Sequence, residues 1–186
     1  MPTASGAEFA PHAPRGSSAF IQATAQEGRA SARLGAGRET REVLGRVERL
    51  VSSSPIPDRP EHHYRYDPAK SDAYKATTLS WLGDPAAEPY ARQVLARLES
   101  GVDGPLRPRR VETARLDLAL ALITARRPDE AAHCALTAVT SGRLVPSNHW
   151  RAAEVIAGLA GRQVPEVYEL EEAYRSVCGD FRAGYA

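Results

Sequence analysis

Lysine is nearly missing from this sequence: Lys70 and Lys75 are the only two. The remaining positive charge is arginine, and 24 basic side chains stand against 23 acidic ones for a formal net charge of +1. Such a balance leaves no overall field to draw the chain to nucleic acid or to an anionic membrane. Cysteine is just as scarce. Cys134 and Cys178 stand apart with no C-x-x-C between them, so both are expected to be reduced, structurally passive thiols, with a disulfide between them the open alternative. Long apolar runs are absent. The most apolar one, LDLALALITA at 116–125, falls far short of the roughly 20 residues that cross a bilayer. The N-terminal MPTASGAEFAPHAPRGS lacks the apolar core of a secretory signal. These absences point to a cytoplasmic protein. Phosphate-cradling and nucleophile-elbow patterns are missing too, with no G-x-x-x-x-G-K-[ST], G-x-G-x-x-G or G-x-S-x-G anywhere. Neither catalysis nor a cofactor is expected.

What is present is helical grammar. With 42% hydrophobic and 25% charged residues over 186 positions, the chain has material for one ordinary folded domain. Residues 1–16 are small, polar and aperiodic, which predicts a disordered leader, and 178–186 read as a tail; the domain between spans 17–177. A first helix over 18–34 ends at the turn LGAGR. Val43, Leu44, Val47, Leu50 and Val51 then form one stripe at helical period, until the prolines of SSSPIPDRP at 52–60 break it. Asp67-Pro68 reads as N-cap and first helical residue of a helix reaching Leu82. Gly83-Asp84-Pro85 repeats the stop and restart, with a partner helix starting at Pro85 or Pro89.

Leucines 116, 118, 120 and 122 alternate as in a strand, but leucine and alanine are helix formers and β-branched residues are scarce. The segment reads as a helix buried on most of its surface. A turn at 125–130 with Pro128, a helix capped by Ser147 and ending at Gly161, and a last one opened by Pro165 complete eight helices in four antiparallel pairs.

The pairs repeat. Aligning turns at Gly35, Gly83 and Arg126 places the small residues Gly28, Ala76 and Ala119 seven positions before each turn, and Ser31, Leu79 and Leu122 four before. After the turns, Thr40/Leu44/Val47 match Ala131/Ala135/Ala138, and Ala87/Ala91/Val94 match with one deletion. Small residues at fixed offsets let helices approach closely, and the fold class predicted is all-α, a stack of about four helix pairs resembling a tetratricopeptide-repeat solenoid.

EHHYRYDPAK at 61–70 looks most like chemistry. His62 and His63 are adjacent, though, and side chains of adjacent residues in an extended segment diverge, so no metal is expected there. Tyr64 and Tyr66 suit packing between helix pairs, or, with Arg65, a binding groove. Arg107, Arg109 and Arg110 lie beside acidic residues without interleaved aromatics and read as a solvated linker.

On the blocks DRPEHHYRYDPAK, SWLGDPAAEPYARQVLARLE and RPRRVETARLDLALALITARRPDEAAHCALTAVTSGRLVPSNHWRAAEV, the chain resembles a known family. It is similar to the C-terminal tetratricopeptide-like domain of bacterial XRE-class helix-turn-helix transcriptional regulators, over roughly residues 17–177. In that family a DNA-binding helix-turn-helix comes first; nothing before residue 17 has that pattern, so the resemblance implies only the sensory or interaction half and no direct contact with nucleic acid. It implies a concave face, lined by the first helix of each pair, holding a peptide, a small signal molecule or a protein partner. The groove candidates are Gln22, Arg29, Arg33, His62, His63, Arg65, Tyr66 and Thr77. A homodimer stays open, as do a truncated regulator fragment and a metal or enzyme site at His62-His63.

Overall fold

The structure is a computed structural model that describes residues 17–53, 66, 69–101, 107–162 and 164–183, with side chains through Cys178. Every regular element among the described residues is helical: α1 (Ser18–Arg33), α2 (Gly37–Ser52), α3 (Ala69–Leu82), α4 (Ala87–Ser100), α5 (Pro108–Thr124), α6 (Pro128–Thr140), α7 (His149–Leu159) and α8 (Glu166–Ala183). The all-α class expected from the sequence is therefore the class observed. Two compact units divide the chain, Met1–Asp84 and Pro85–Ala186, where the sequence suggests one domain. The expected leader and the helix start at Asp67-Pro68 lie outside the described residues.

In the first unit, α1 and α2 are joined by a turn of three residues and pack side by side. A turn this short makes them antiparallel. Gly28 marks a close approach between them, since a Cβ there would stand 3.1 Å from Val43 Cγ1. The apolar core comprises Ile21, Ala25, Val43, Val47 and Tyr66, with Leu50, Val51 and Tyr74 packed against it. Direction follows from the cross-helix contacts. Gly37 lies beside Leu82 and Arg41 bonds to Asp84, while Glu48 meets Lys75, so α2 and α3 run in opposite senses. Helices α1 and α3 consequently run the same way.

The second unit repeats that plan. Thr113 and Asp117 on α5 are bonded to Asn148 and Arg151 in matching order, which makes α5 and α7 run in the same sense. Helix α5 is the centre of this unit. Leu116 through Leu122 are all buried, so the alternating leucines belong to a helix wrapped on most faces, as its alanines imply. The α6 face Ala131, Ala135 and Ala138 has no exposed surface, which permits the close packing against α5.

The three turns aligned from sequence share one geometry. Gly35 donates to the Ala32 carbonyl and Ala36 to the Ser31 carbonyl; Gly83 and Asp84 do the same to Ser80 and Leu79, and Arg126 and Arg127 to Ile123 and Leu122. Each is a Schellman cap, in which the residue after the helix takes a left-handed conformation. Gly35 and Gly83 have φ of 71° and 75°; Arg126 has φ of 59° and is the one non-glycine with positive φ among the described residues. An L-residue there costs about 1–2 kcal/mol, partly offset by glycine's greater freedom in the unfolded chain. Arg126→Gly is therefore expected to raise unfolding stability by about 0.5–1 kcal/mol, and Gly83→Ala to lower it by a similar amount, both readable in urea titrations.

Three boundaries differ from expectation. Ser147 does not cap α7: it lies inside a 3-10 turn, Pro146–Asn148, and α7 starts at His149 without a side-chain cap bond. The Asn148 side chain is drawn instead to Thr113 and Arg151. Helix α8 continues beyond the apolar stripe into the expected tail, to Ala183; Gly179 costs a helix only about 1 kcal/mol and does not stop it. The Arg107–Arg110 cluster is the N-cap and first turn of α5 rather than a linker. Pro89 is the third residue of α4, where backbone N–H groups lack an intrahelical acceptor in any case.

Candidate functional site

Gln22, Arg29 and Arg33 lie on α1 at steps of seven and four, which places them along one stripe of the helix. Tyr74 and Trp81 lie on α3 seven apart and form a matching stripe. Because α1 and α3 run in the same sense, the stripes meet in register. Gln22 Nε2 donates to the Tyr74 hydroxyl at 3.2 Å. The Arg29 guanidinium lies 5.6 Å from the Tyr74 ring centre and 4.9 Å from that of Trp81, and Arg33 sits 3.8 Å over Trp81. Arg33 is exposed while Gln22, Arg29, Tyr74 and Trp81 are half-buried, so the cluster reaches the surface of the first unit.

An arginine stacked on an indole has already given up part of its side-chain freedom, so less is lost when a ligand binds against it. The cluster is thus a partly ordered, amphipathic platform with arginine and aromatic surface side by side, the combination that dominates binding hot spots.

The structure divides the sequence-derived candidates. Gln22, Arg29 and Arg33 come together. Tyr66 does not belong with them as a groove residue: it is 7% exposed and part of the core, its ring 6.4 Å from that of Tyr74 and its backbone N–H bonded to Ser18 Oγ. Thr77 is 1% exposed, and its hydroxyl is spent on the Ala73 carbonyl. Thr77 is buried because residues 75–80 of α3 are covered on every face, which a single helical stripe did not foretell, and Tyr66 because it joins the apolar core of α1 and α2. His62, His63 and Arg65 lie outside the described residues. Tyr74 and Trp81 escaped the sequence reading, although their seven-residue spacing copies that of Gln22 and Arg29.

Two further clusters occupy the second unit. Arg151 Nε donates to Asp117 Oδ1 at 2.8 Å and its Nη1 to Asn148 Oδ1 at 2.9 Å; Asn148 Nδ2 donates to the Thr113 hydroxyl. Asp117 is buried and Arg151 largely so, with side chains 5% and 12% exposed. This network pins α7 onto α5.

The other cluster joins α7 and α8. Cys178 Sγ stands 3.6 Å from His149 Nδ1, and the His149 and Tyr174 rings meet edge to face at 6.2 Å. Burial and then its hydrogen bond to Cys178 raise the Tyr174 hydroxyl above its ordinary pKa. Nothing in the sequence pairs His149 with a thiol, and only the antiparallel packing of α7 on α8 brings it to Cys178. The second thiol, Cys134 on α6, is pushed up in pKa by burial. Among the described residues no three His, Cys, Asp or Glu side chains converge as a metal site would require, and no helix is long and apolar enough to cross a membrane.

No family model matches this sequence, and neither a curated protein nor a solved structure is detectably similar to it.

Proposed function

We propose that the chain is a non-catalytic binding module built from tetratricopeptide-like helix pairs, similar to the sensory half of an XRE-class transcriptional regulator. Its ligand, a peptide, small signal molecule or protein partner, is taken at the α1–α3 face. The observation that carries this reading is the Gln22–Arg29–Arg33 stripe meshed with Tyr74 and Trp81. Three polar side chains of one helix converge on two aromatic rings of the next same-sense helix, at a surface rather than in the core. The shared Schellman caps and the small buried residues at repeat offsets support the helical-repeat part of the reading. Regulation then works by population shift: the ligand favours one arrangement of the helices over another.

The test is affinity capture from source-cell lysate with the purified chain and with an Arg33→Glu variant, the bound protein and metabolites being identified by mass spectrometry. One stoichiometric species held by the native chain, and at least about tenfold depleted on the variant, is the expected result; a loss of about 1.4 kcal/mol suffices for that ratio. Equal recovery on both removes the α1–α3 face from the proposal. Soluble aggregates with chaperones alone favour the truncated-fragment reading instead.

A further inference from the structure

The second unit carries a thiol site independent of the binding face. The geometry points to Cys178 as a thiol–disulfide exchange site that takes a low-molecular-weight disulfide, with His149 as the base that frees its thiolate. Three side chains from two helices build it. Tyr174 and Cys178 are four residues apart on α8 and so share a face. His149, the first residue of α7, reaches that face with Nδ1 3.6 Å from the sulphur. All three residues are half-buried, so none is sealed in the core.

With the imidazole proton on Nε2, Nδ1 accepts the proton of the thiol. The resulting thiolate attacks one sulphur of RS–SR, a bond forms between Cys178 Sγ and that sulphur, and the S–S bond of the reactant breaks. The departing RS⁻ recovers the proton from His149 and leaves as RSH. One thiol and one disulfide are consumed and one of each is formed, so the exchange needs no further oxidant or reductant.

The protein supplies its own control. Cys134 is also unbonded but lies on α6 with Arg92, Glu130, Arg115 and Glu99 as its charged surroundings, on α4, α5 and α6 rather than α7 and α8. It has His133 next to it in sequence, yet successive helical residues diverge by about 100°, so that imidazole does not serve it. Both thiols are half-buried; one has a base in contact, while burial pushes the other up in pKa. A mixed disulfide at Cys178 with a small thiol also needs no second cysteine to resolve it.

The full chain is incubated with glutathione disulfide near neutral pH, and adducts are followed by intact mass and peptide mapping. Cys178 is expected to gain the adduct about tenfold faster than Cys134. His149→Asn, which keeps an amide near the sulphur but has no base, is expected to slow Cys178 at least about fivefold with Cys134 unchanged. In denaturant the native chain and the variant should react alike, which separates the base from any effect on folding. Equal rates at the two cysteines in the native protein, or an unchanged Cys178 rate in His149→Asn with helical content intact, overturn the assignment.

Discussion

Asp117→Ala is expected to cost about 3–5 kcal/mol of unfolding stability, because it strands the Arg151 guanidinium in a buried site. Arg151 is only 12% exposed at its side chain, and Asn148 alone among its bonded partners cannot neutralise it. Arg151→Ala should be similarly damaging, since Asp117 would then be a carboxylate in the wrapped middle of α5. The informative measurement is the double-mutant cycle. Asp117→Leu and Arg151→Met are made singly and together; the double variant replaces both charges by apolar groups, and its loss should fall well below the sum of those two single losses. Urea unfolding of the four proteins reads this directly. Additive losses would mean that the pair is not coupled and that α7 is held to α5 by apolar contact alone.

Leu122→Ala comes next in size, with an expected loss of about 2–5 kcal/mol. Leu122 is 1% exposed, its carbonyl accepts from Arg127 in the α5 Schellman cap, and its side chain fills the position held by Ser31 and Leu79 in the other repeats. The buried alanines of α5 and α6 have little or no exposed surface, and small side chains in a closely packed interface leave little freedom to collapse into the void. Leu79→Ala probes the equivalent place at 6% exposure in the first unit, where a smaller loss is expected. Thermal unfolding with helical content as the readout ranks the two. An equal or reversed order would show that the two repeat positions are not packed alike.

Much of this architecture was legible in the chain because helices are written locally. Proline at N1 opens α5 and α6, and glycine closes α1 and α3 with positive φ. Alternating leucines resolved as a helix because alanines filled the intervening faces, and burial of Leu116 through Leu122 follows from that same composition. The repeat register was equally readable: Arg126, aligned with two glycines by spacing alone, adopts their left-handed conformation. The end of α8 was misjudged because one glycine is too small a local cost to stop a helix, and Ser147 for a reason that lies outside local grammar. The 3-10 turn at Pro146 is held by Asn148, whose partners come from α5 and α7.

The site shows the same division. Arginines 29 and 33 were visible as one helical stripe, since a period of 3.6 is a local property. That Tyr66 would be core depended on how α1 and α2 close around it, and that Tyr74 and Trp81 would be the arginines' partners depended on how α3 is rolled about its own axis against α1. On a helix apolar or small on most faces, sequence does not select which face turns outward; packing does. Likewise, nothing in the spacing of His149 and Cys178 announces a contact, and only the antiparallel return of α8 along α7 brings sulphur and imidazole together. The sequence by itself determined most of the helices and the turns that close α1, α3 and α5, set by backbone conformational preference within a few residues. The tertiary structure decided which side chains meet, because contacts between helices depend on the rotation and direction of each, and those are settled only when the cores close.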